Sequence, residues 1–189
     1  MLEKIINKDI ELLVYLNNLG SETWDGFWLF ITYTTTSIPV YLFILFLVYR
    51  YFGIKKLAIS LLFIALVITI SDQTCNIFKY GFERLRPCYN EDVMGLIRMV
   101  KSHCGGRYSF FSAHASNSMA VAVFFASLLR KQIKFIPVFL IVWAILVGYS
   151  RIYIGVHFPT DVLFGFGFGA TIGWLMYKLM LLFFRKFVK

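Results

Sequence analysis

The chain has 189 residues, of which 59% are hydrophobic, and its formal net charge is +9 at pH 7. Its mean hydropathy is +0.73. An apolar share this large argues against an ordinary soluble domain and indicates a polytopic membrane protein. The first long apolar run, 26–49, is too long for a signal peptide, so we expect one membrane domain over 1–189.

The N-terminal stretch 1–20 mixes charged residues with apolar ones such as Ile10, Leu13 and Leu16. This pattern predicts an amphipathic helix that lies on the membrane surface. A partly ordered N-terminal tail is the alternative interpretation.

Five apolar segments follow and predict membrane-spanning helices at 26–49, 57–78, 112–129, 135–148 and 159–184. A helix needs about 20 residues to cross a bilayer. The fourth segment is shorter, which places Ser150 and Arg151 at the membrane interface. We therefore expect an all-α, polytopic membrane helical bundle of five to six transmembrane helices, with its helical core over 25–184.

The distribution of basic residues predicts the orientation. Three segments each carry three Lys or Arg and no Asp or Glu: 50–56, 130–134 and 185–189. Their summed charge equals the net charge of the whole chain, +9. The positive-inside rule places them in the cytoplasm. The N-terminal helix, the loop 79–111 and the turn 150–160 then lie on the extracytoplasmic face. Because topology accounts for the charge, we expect no nucleic-acid partner.

The cysteines agree with an outward-facing loop. Cys88 and Cys104 lie in it, whereas Cys75 lies within the second predicted span. An oxidising compartment would permit a Cys88–Cys104 disulfide that closes a loop of about 15 residues and contributes about 3 kcal/mol. Two free thiols are the alternative. A zinc site with His103 would lack a fourth ligand, so we expect no metal.

Three stretches of the predicted outer face carry polar chemistry: 79–87 (KYGFERLRP), 109–118 (SFFSAHASNS) and 148–169 (GYSRIYIGVHFPTDVLFGFGFG). Seven residues in these stretches are candidates for chemistry, and they provide cations, imidazoles, a carboxylate and a hydroxyl: Lys79, Arg86, Arg151, His114, His157, Asp161 and Ser112. Arg and Lys together suit a phosphate, since the guanidinium fork matches its oxygens. Ser112 occupies a helix-cap position, so the next backbone N–H groups would also point at an anion.

The two imidazoles could have different roles, one as nucleophile and the other as general acid. His157 and Asp161 are four residues apart, so the carboxylate can hold one ring nitrogen and leave the other free to attack. His114 could then protonate the leaving oxygen. Such a phosphohistidine route needs no metal, and the sequence has no carboxylate cluster for Mg²⁺ or Ca²⁺. Asp72, within the second span, either pairs with Lys79 or Arg151 or makes a polar contact between helices.

These residues form three motifs: K-x6-RP (Lys79, Arg86, Pro87), S-A-H (Ser112 to His114) and SR-x5-H-x3-D (Ser150, Arg151, His157, Asp161). They resemble the signature motifs of the type 2 phosphatidic acid phosphatase family, whose fold vanadium haloperoxidases share. The resemblance covers most of 25–184. The family's second motif usually reads Pro-Ser-Gly-His, whereas this chain has Phe-Ser-Ala-His at 111–114. This difference would affect the geometry of phosphate binding more than the reaction itself.

The resemblance implies a role for each motif residue. His157 would be the nucleophile, Asp161 its orienting partner and His114 the general acid. The phosphate would be bound by Lys79, Arg86, Ser112, Ala113 and Arg151. The family acts on lipid phosphates and diphosphates without a metal, so we expect no cofactor.

We accordingly expect a lipid phosphatase of the bacterial inner membrane, with its active site on the outer face, a membrane lipid as substrate and no obligate protein partner. The loop 79–107 has only 29 residues, little structure to recognise a large headgroup, so undecaprenyl diphosphate is the first expectation. Lipid A, phosphatidylglycerol phosphate and phosphatidic acid are alternative substrates. An anion-binding transporter would need polar residues at depth, which most spans lack, and a vanadate-holding haloperoxidase is a third possibility.

Overall fold

A computed structural model describes residues 2–187. Its helices are α1 (Leu2–Asn18), α2 (Glu22–Thr32), α3 (Ile38–Phe82), α4 (Glu91–Met94), α5 (Ala113–Leu129), α6 (Ile136–Tyr153) and α7 (Pro159–Phe187). Extended pairing between residues 2 and 187 is limited to an isolated bridge from Leu85 to Tyr108. The predicted all-α fold is confirmed. Met1 of the predicted N-terminal helix and 188–189 of the last basic segment lie outside the described residues.

The first predicted span, 26–49, is not one helix. Helix α2 ends at Thr32 and α3 begins at Ile38, with a single 3₁₀ turn at Thr34–Ser37 between them. Hydroxyl side chains in such a turn bind nearby backbone groups and compete with the helix, and the Thr36 hydroxyl donates to the Tyr33 carbonyl at 2.7 Å. The sequence prediction was wrong here because apolar content hid this local competition.

Helix α3 is interrupted at Gly53, whose φ of 76° lies in the left-handed region that favours glycine. A straight helix of 45 residues would be about 68 Å long, roughly twice the hydrocarbon thickness of a bilayer. Tyr41, before the break, and Ile68, after it, line one cavity. The chain therefore turns back at Gly53 and the two limbs of α3 run side by side, with the basic segment 50–56 at the turn.

The described helices include three stretches that are long and apolar enough to cross a membrane: Thr34–Phe82, Ile136–Tyr153 and Pro159–Lys186. The first contains both limbs of α3. Helix α5 is apolar but shorter, with 17 residues. The fold is that of a membrane helical bundle, and the number of five to six spans stays a prediction.

Helix α5 occupies the centre of the bundle and packs on α3, α6 and α7. Its contact with α7 is close because glycines recur every fourth residue on the facing stripe of α7. A β-carbon at Gly165, Gly169 or Gly173 would lie 2.8, 2.2 and 2.4 Å from the backbone oxygens of Ser112, Ser116 and Ala120, respectively. Small residues at this spacing allow helix backbones to approach closely. The stripe thus fixes the start of α5 against the start of α7.

Helix α1 packs across the end of the bundle where α6 stops and α7 starts. Leu13 is fully buried and packs with Ile152 and Phe158. The amide of Asn17, also buried, donates to the Tyr153 carbonyl at 2.7 Å. The predicted N-terminal helix is therefore present, and its position on a membrane surface stays a prediction.

Candidate active site

Two loop segments pair at the end of the bundle and carry one of the predicted phosphate ligands. The Arg86 backbone N–H donates to the Arg107 carbonyl at 3.0 Å, and the Ser109 N–H donates to the Arg84 carbonyl at 2.8 Å. The structure pairs Cys88 with Cys104 in a disulfide, as the sequence predicted, with their Cα atoms 6.4 Å apart. This framework holds the loop against the starts of α5 and α7.

His157 and Asp161 form a buried pair where α7 begins. The Nδ1 atom of His157 lies 3.4 Å from Oδ2 of Asp161, and the same oxygen accepts from the Phe158 N–H at 3.0 Å. The two side chains are 2% and 0% exposed. A turn through Gly155, with φ of 77°, lets the His157 N–H reach the Arg151 carbonyl. The carboxylate is thus placed to hold Nδ1–H and to leave Nε2 with its lone pair.

The surroundings keep the His157 imidazole uncharged. Burial lowers its pKa well below the ordinary value of 6.5, and the positive charges of Arg86, Arg151 and Lys79 lower it further. Both effects disfavour the protonated ring. A neutral imidazole among fixed cations is suited to attack an electrophilic phosphorus atom.

Two buried arginines lie near this pair, and they differ in how many of their N–H groups are hydrogen-bonded. Arg86 donates from Nε to the Tyr108 carbonyl at 3.2 Å and from Nη1 to the Cys104 carbonyl, and burial lowers its pKa. Arg151 donates from Nη1 to Thr32 Oγ1 at 2.6 Å, but its buried Nε has no partner. Unpaired buried N–H groups are rare in proteins. Within the described residues the hydrogen-bonding capacity of the Arg151 Nε–H is therefore unused.

The start of α5 supplies the remaining predicted groups. The Ser112 hydroxyl accepts from the Ala115 N–H at 3.4 Å, as a helix cap does, and the Ser112 N–H donates to the Asp161 carbonyl at 3.1 Å. Ala113 is the first helical residue, where a backbone N–H has no intrahelical partner. His114 follows, within electrostatic reach of His157 and of the basic side chains of Lys79, Arg86 and Arg151. The structure thus brings the three motifs together.

The two departures from the usual second motif have local explanations. Phe111, where the resemblance implies proline, is fully buried and contacts Phe78, Phe164 and Phe168 at centroid distances of 5.6, 5.3 and 5.2 Å. It fills an aromatic cluster between α3 and α7. Ala113 has a helical backbone rather than a positive φ, so its β-carbon causes no left-handed strain.

Sequence reasoning missed Arg84 and Asp9. Arg84 donates from Nη1 to Asp161 Oδ1 at 2.9 Å and from Nη2 to Asp9 Oδ2 at 2.7 Å. Asp9, 4% exposed, also accepts from the Thr160 N–H at 2.9 Å. A signal was present, since Asp9 lies on the stripe of α1 that carries Ile10 and Leu13, and a carboxylate on a buried face requires a partner.

Asp72 does not support the basic residues as one sequence interpretation expected. Its Oδ1 accepts from Asn117 Nδ2 at 2.8 Å, whereas among the described residues it forms no ion pair with Lys79 or Arg151. Lys79 lies about 10 Å further along α3, too far for direct contact with a short carboxylate. The alternative interpretation, a polar contact between helices, agrees with the structure.

Beside His114 a cavity of about 550 Å³ extends between α3, α5 and α6. Its walls are mostly apolar and include Leu45, Ile64 and Phe125, with Asp72 and Asn117 among the polar exceptions. No group of three or more His, Cys, Asp or Glu placed to hold a metal ion occurs within 2–187. The arrangement places a cluster of cations next to a mostly apolar cavity.

The fold and the site define a helical membrane protein built around a buried histidine–carboxylate pair with basic side chains nearby. The family model of the PAP2 superfamily matches residues 58–185, and the chain belongs to that superfamily. It is therefore a membrane phosphatase of the lipid phosphate hydrolase class.

Three relatives are informative. The chain is 35% identical to the lipid A 4'-phosphatase of Bacteroides thetaiotaomicron over 94% of its own length and 79% of the relative. It is 31% identical to the lipid A 4'-phosphatase of Porphyromonas gingivalis, over 95% and 76%. It is 29% identical to the undecaprenyl-diphosphatase of Sulfolobus acidocaldarius, over 92% and 79%.

The fold is shared with the transmembrane PAP2-type phosphatidylglycerolphosphate phosphatase of Bacillus subtilis. The two structures superpose with a TM-score of 0.71 at 24% identity, over 98% of this chain and 89% of the other. This likeness concerns the fold.

Proposed function

We propose that the protein removes a phosphate group from lipid A through a phosphohistidine intermediate. The observation that carries the proposal is the unpaired Nε–H of buried Arg151 in a cluster whose charges act on His157. An anion would satisfy that donor, and the nucleophile would be in reach of it.

The proposed chemistry has two balanced steps. Nε2 of His157 attacks phosphorus while the bond from phosphorus to the lipid oxygen breaks, and His114 gives that oxygen a proton. Water then attacks the phosphohistidine, His114 takes a proton from the water, and the nitrogen–phosphorus bond breaks to release inorganic phosphate. Lys79, Arg86 and Arg151 neutralise charge on the transferred group, with backbone N–H groups at the start of α5. No metal ion is required by either step.

The comparison with relatives favours lipid A over undecaprenyl diphosphate, the first expectation from the sequence. The relatives named lipid A 4'-phosphatase are more similar to the chain than the relative named undecaprenyl-diphosphatase, at 35% and 31% against 29% identity. The short outer loop, which suggested a simple headgroup, is a weaker argument, because the cavity beside His114 offers additional surface for recognition.

The test is phosphate release by purified protein from lipid A, undecaprenyl diphosphate, phosphatidic acid and phosphatidylglycerol phosphate, with EDTA present. Lipid A should have the highest kcat/KM, and the H157A variant should release no phosphate from any lipid. A higher kcat/KM for undecaprenyl diphosphate would contradict the proposal that lipid A is the substrate. Undiminished release by H157A would overturn the mechanism.

We also propose that the site faces the outside of a bacterial inner membrane. The basic segments 50–56 and 130–134 lie at the Gly53 turn and between α5 and α6, helix ends opposite those that carry Lys79 and Ala113. The positive-inside rule then predicts that the active-site end is extracytoplasmic.

Cysteine labelling in spheroplasts tests this orientation. In a cysteine-free background, D92C should react with an impermeant maleimide and K131C should not. The reverse pattern would overturn the orientation.

A further inference from the structure

A polar pair lies in the apolar cavity beside the active site. Asn117 is on α5, one helical turn beyond His114, and its Nδ2 donates to Asp72 Oδ1 on α3 at 2.8 Å. Both side chains are half-buried and line the cavity. The mechanism uses neither of them.

The hydrogen bond leaves part of the pair's hydrogen-bonding capacity unused. The hydrogen bond consumes one Asn117 N–H and one oxygen of Asp72. The Asn117 Oδ1 atom is buried without a partner, and Asp72 Oδ2 makes no hydrogen bond with the described residues. An ionised carboxylate and an amide oxygen can only accept hydrogen bonds. Asp72, which lines the cavity, can therefore accept a further hydrogen bond from a donor on whatever fills the cavity.

Contact with a hydrocarbon chain alone would be energetically unfavourable for Asp72 and Asn117. It would exclude water from the carboxylate and the amide oxygen without replacing the lost hydrogen bonds, which is unfavourable. A chain or ring that carries a hydroxyl or amide N–H close to its phosphate would replace them. The hydroxyls of Thr34, Ser37 and Ser118 also line the cavity, and each can accept a hydrogen bond as well.

We propose that Asp72 and Asn117 form a specificity site that selects phosphorylated lipids bearing a hydroxyl or amide N–H near the phosphate. This inference rests on the proposed function and narrows its substrate class. Acylated amino sugars such as lipid A carry both donors. Polyisoprenyl diphosphates have a pure hydrocarbon tail, and the glycerol of phosphatidic acid is esterified, so neither carries a donor there.

Ceramide 1-phosphate and phosphatidic acid provide a matched test. Both are two-chain phosphate monoesters, but the ceramide has an amide N–H and a hydroxyl where the other lipid has esters. The wild-type enzyme should hydrolyse ceramide 1-phosphate with a kcat/KM at least about tenfold higher, since a site built for a donor rejects an analogue that lacks it. Lipid A and a lipid A analogue without acyl-chain hydroxyls, assayed in the same micelles, separate the hydroxyl from the amide as the donor.

Three variants connect this preference to the pair. N117L and D72L should bring the ratio of the two kcat/KM values to near one and leave kcat/KM for phosphatidic acid within about threefold. D72N keeps a hydrogen-bonding pair between the helices, so it serves as a control for a folding defect. Its ratio of kcat/KM for ceramide 1-phosphate to that for phosphatidic acid should lie between those of the wild type and D72L. Q73L, on the exposed side of the same turn of α3, is the control and should keep the wild-type ratio.

The outcomes separate this inference from the proposed function. Equal wild-type rates on the matched lipids, or variants that lose activity on both lipids in parallel, would overturn the specificity site. A wild-type enzyme that shows the preference but does not hydrolyse lipid A would overturn the proposed substrate alone. Lipid A hydrolysis with an unchanged ratio in N117L, D72L and D72N would overturn the specificity site alone.

Discussion

Asp9 on α1 and Asp161 on α7 are held by the same guanidinium, that of Arg84. The two carboxylate contacts measure 2.7 and 2.9 Å, and the side chains of Asp9 and Asp161 are 2% and 0% exposed. The guanidinium carbon also lies 3.9 Å from the centroid of the Phe158 ring. The carboxylate that orients His157 is thus fixed by a residue that is itself fixed by the N-terminal helix.

Replacing Arg84 should therefore impair turnover more than substrate binding. In R84Q the Asp161 carboxylate loses its charged partner, so we expect kcat to fall about 10- to 100-fold, the order seen when groups that orient metal-binding histidines are removed. KM should change little, because Arg84 acts through Asp161. Steady-state kinetics with a lipid phosphate would measure both constants. R107Q, exposed in the same loop, is the control, and a normal kcat in R84Q would contradict the prediction.

Asp9 should act through the same contact. The D9N variant keeps the shape of the side chain but removes its charge, so we expect a smaller fall in kcat than in R84Q. The effects of D9N and R84Q should not add, because both act on one network. A double-mutant cycle on kcat measures this coupling, with E11Q on the exposed face of α1 as the control. Fully additive effects would show that α1 does not support the site through Arg84.

The glycine stripe of α7 offers a test of the helix contact that brings together the two histidines proposed to be catalytic. A β-carbon at Gly169 would lie 2.2 Å from the Ser116 carbonyl oxygen, whereas none of the surrounding atoms comes within 4 Å of one at Gly167. G169A should be destabilised by about 1–3 kcal/mol through overpacking. G167A should keep or gain stability, since alanine is the better helix former. Thermal unfolding in detergent compares them, and equal midpoints would contradict the close approach.

The sequence was sufficient for the motif residues but not for the contacts around them. His157 and Asp161 are four residues apart on one helix start, so local spacing determines their geometry. The Arg84–Asp9 contact joins a loop to the N-terminal helix, and no local pattern records such a pairing. The break at Thr34–Ser37 was missed for a different reason, because hydropathy does not register hydroxyl groups that bond to their own backbone.

The disulfide should matter for both stability and phosphate binding. It closes a loop with a sequence separation of 16, which corresponds to about 3 kcal/mol in the chain-entropy account. Arg86 donates to the Cys104 carbonyl, so a looser loop should also displace Arg86, a proposed phosphate ligand. The C88A/C104A variant should unfold at a lower temperature and show a raised KM. Dithiothreitol should lower the wild-type midpoint but leave that of the double variant unchanged, and an equal effect on both would contradict a stabilising role for this disulfide.

The buried imidazole of His157 should make the folded protein sensitive to acid. Its pKa is well below 6.5 in the folded state, chiefly because of burial, whereas in the unfolded chain it is near 6.5. The unfolded state therefore binds more protons as the pH falls below about 6.5, and stability decreases by up to about 1.4 kcal/mol per pH unit until the folded-state pKa is reached. Above pH 7.5 the group is neutral in both states and has no effect.

H157N isolates this contribution, because every other titrating group is retained. Between pH 7.5 and 5.0 the wild-type unfolding midpoint should fall more steeply than that of H157N, measured in the same detergent. Parallel curves would mean that His157 takes up its proton as readily in the folded protein as in the unfolded chain. That result would also remove the physical basis for a neutral nucleophile held among Arg86, Arg151 and Lys79.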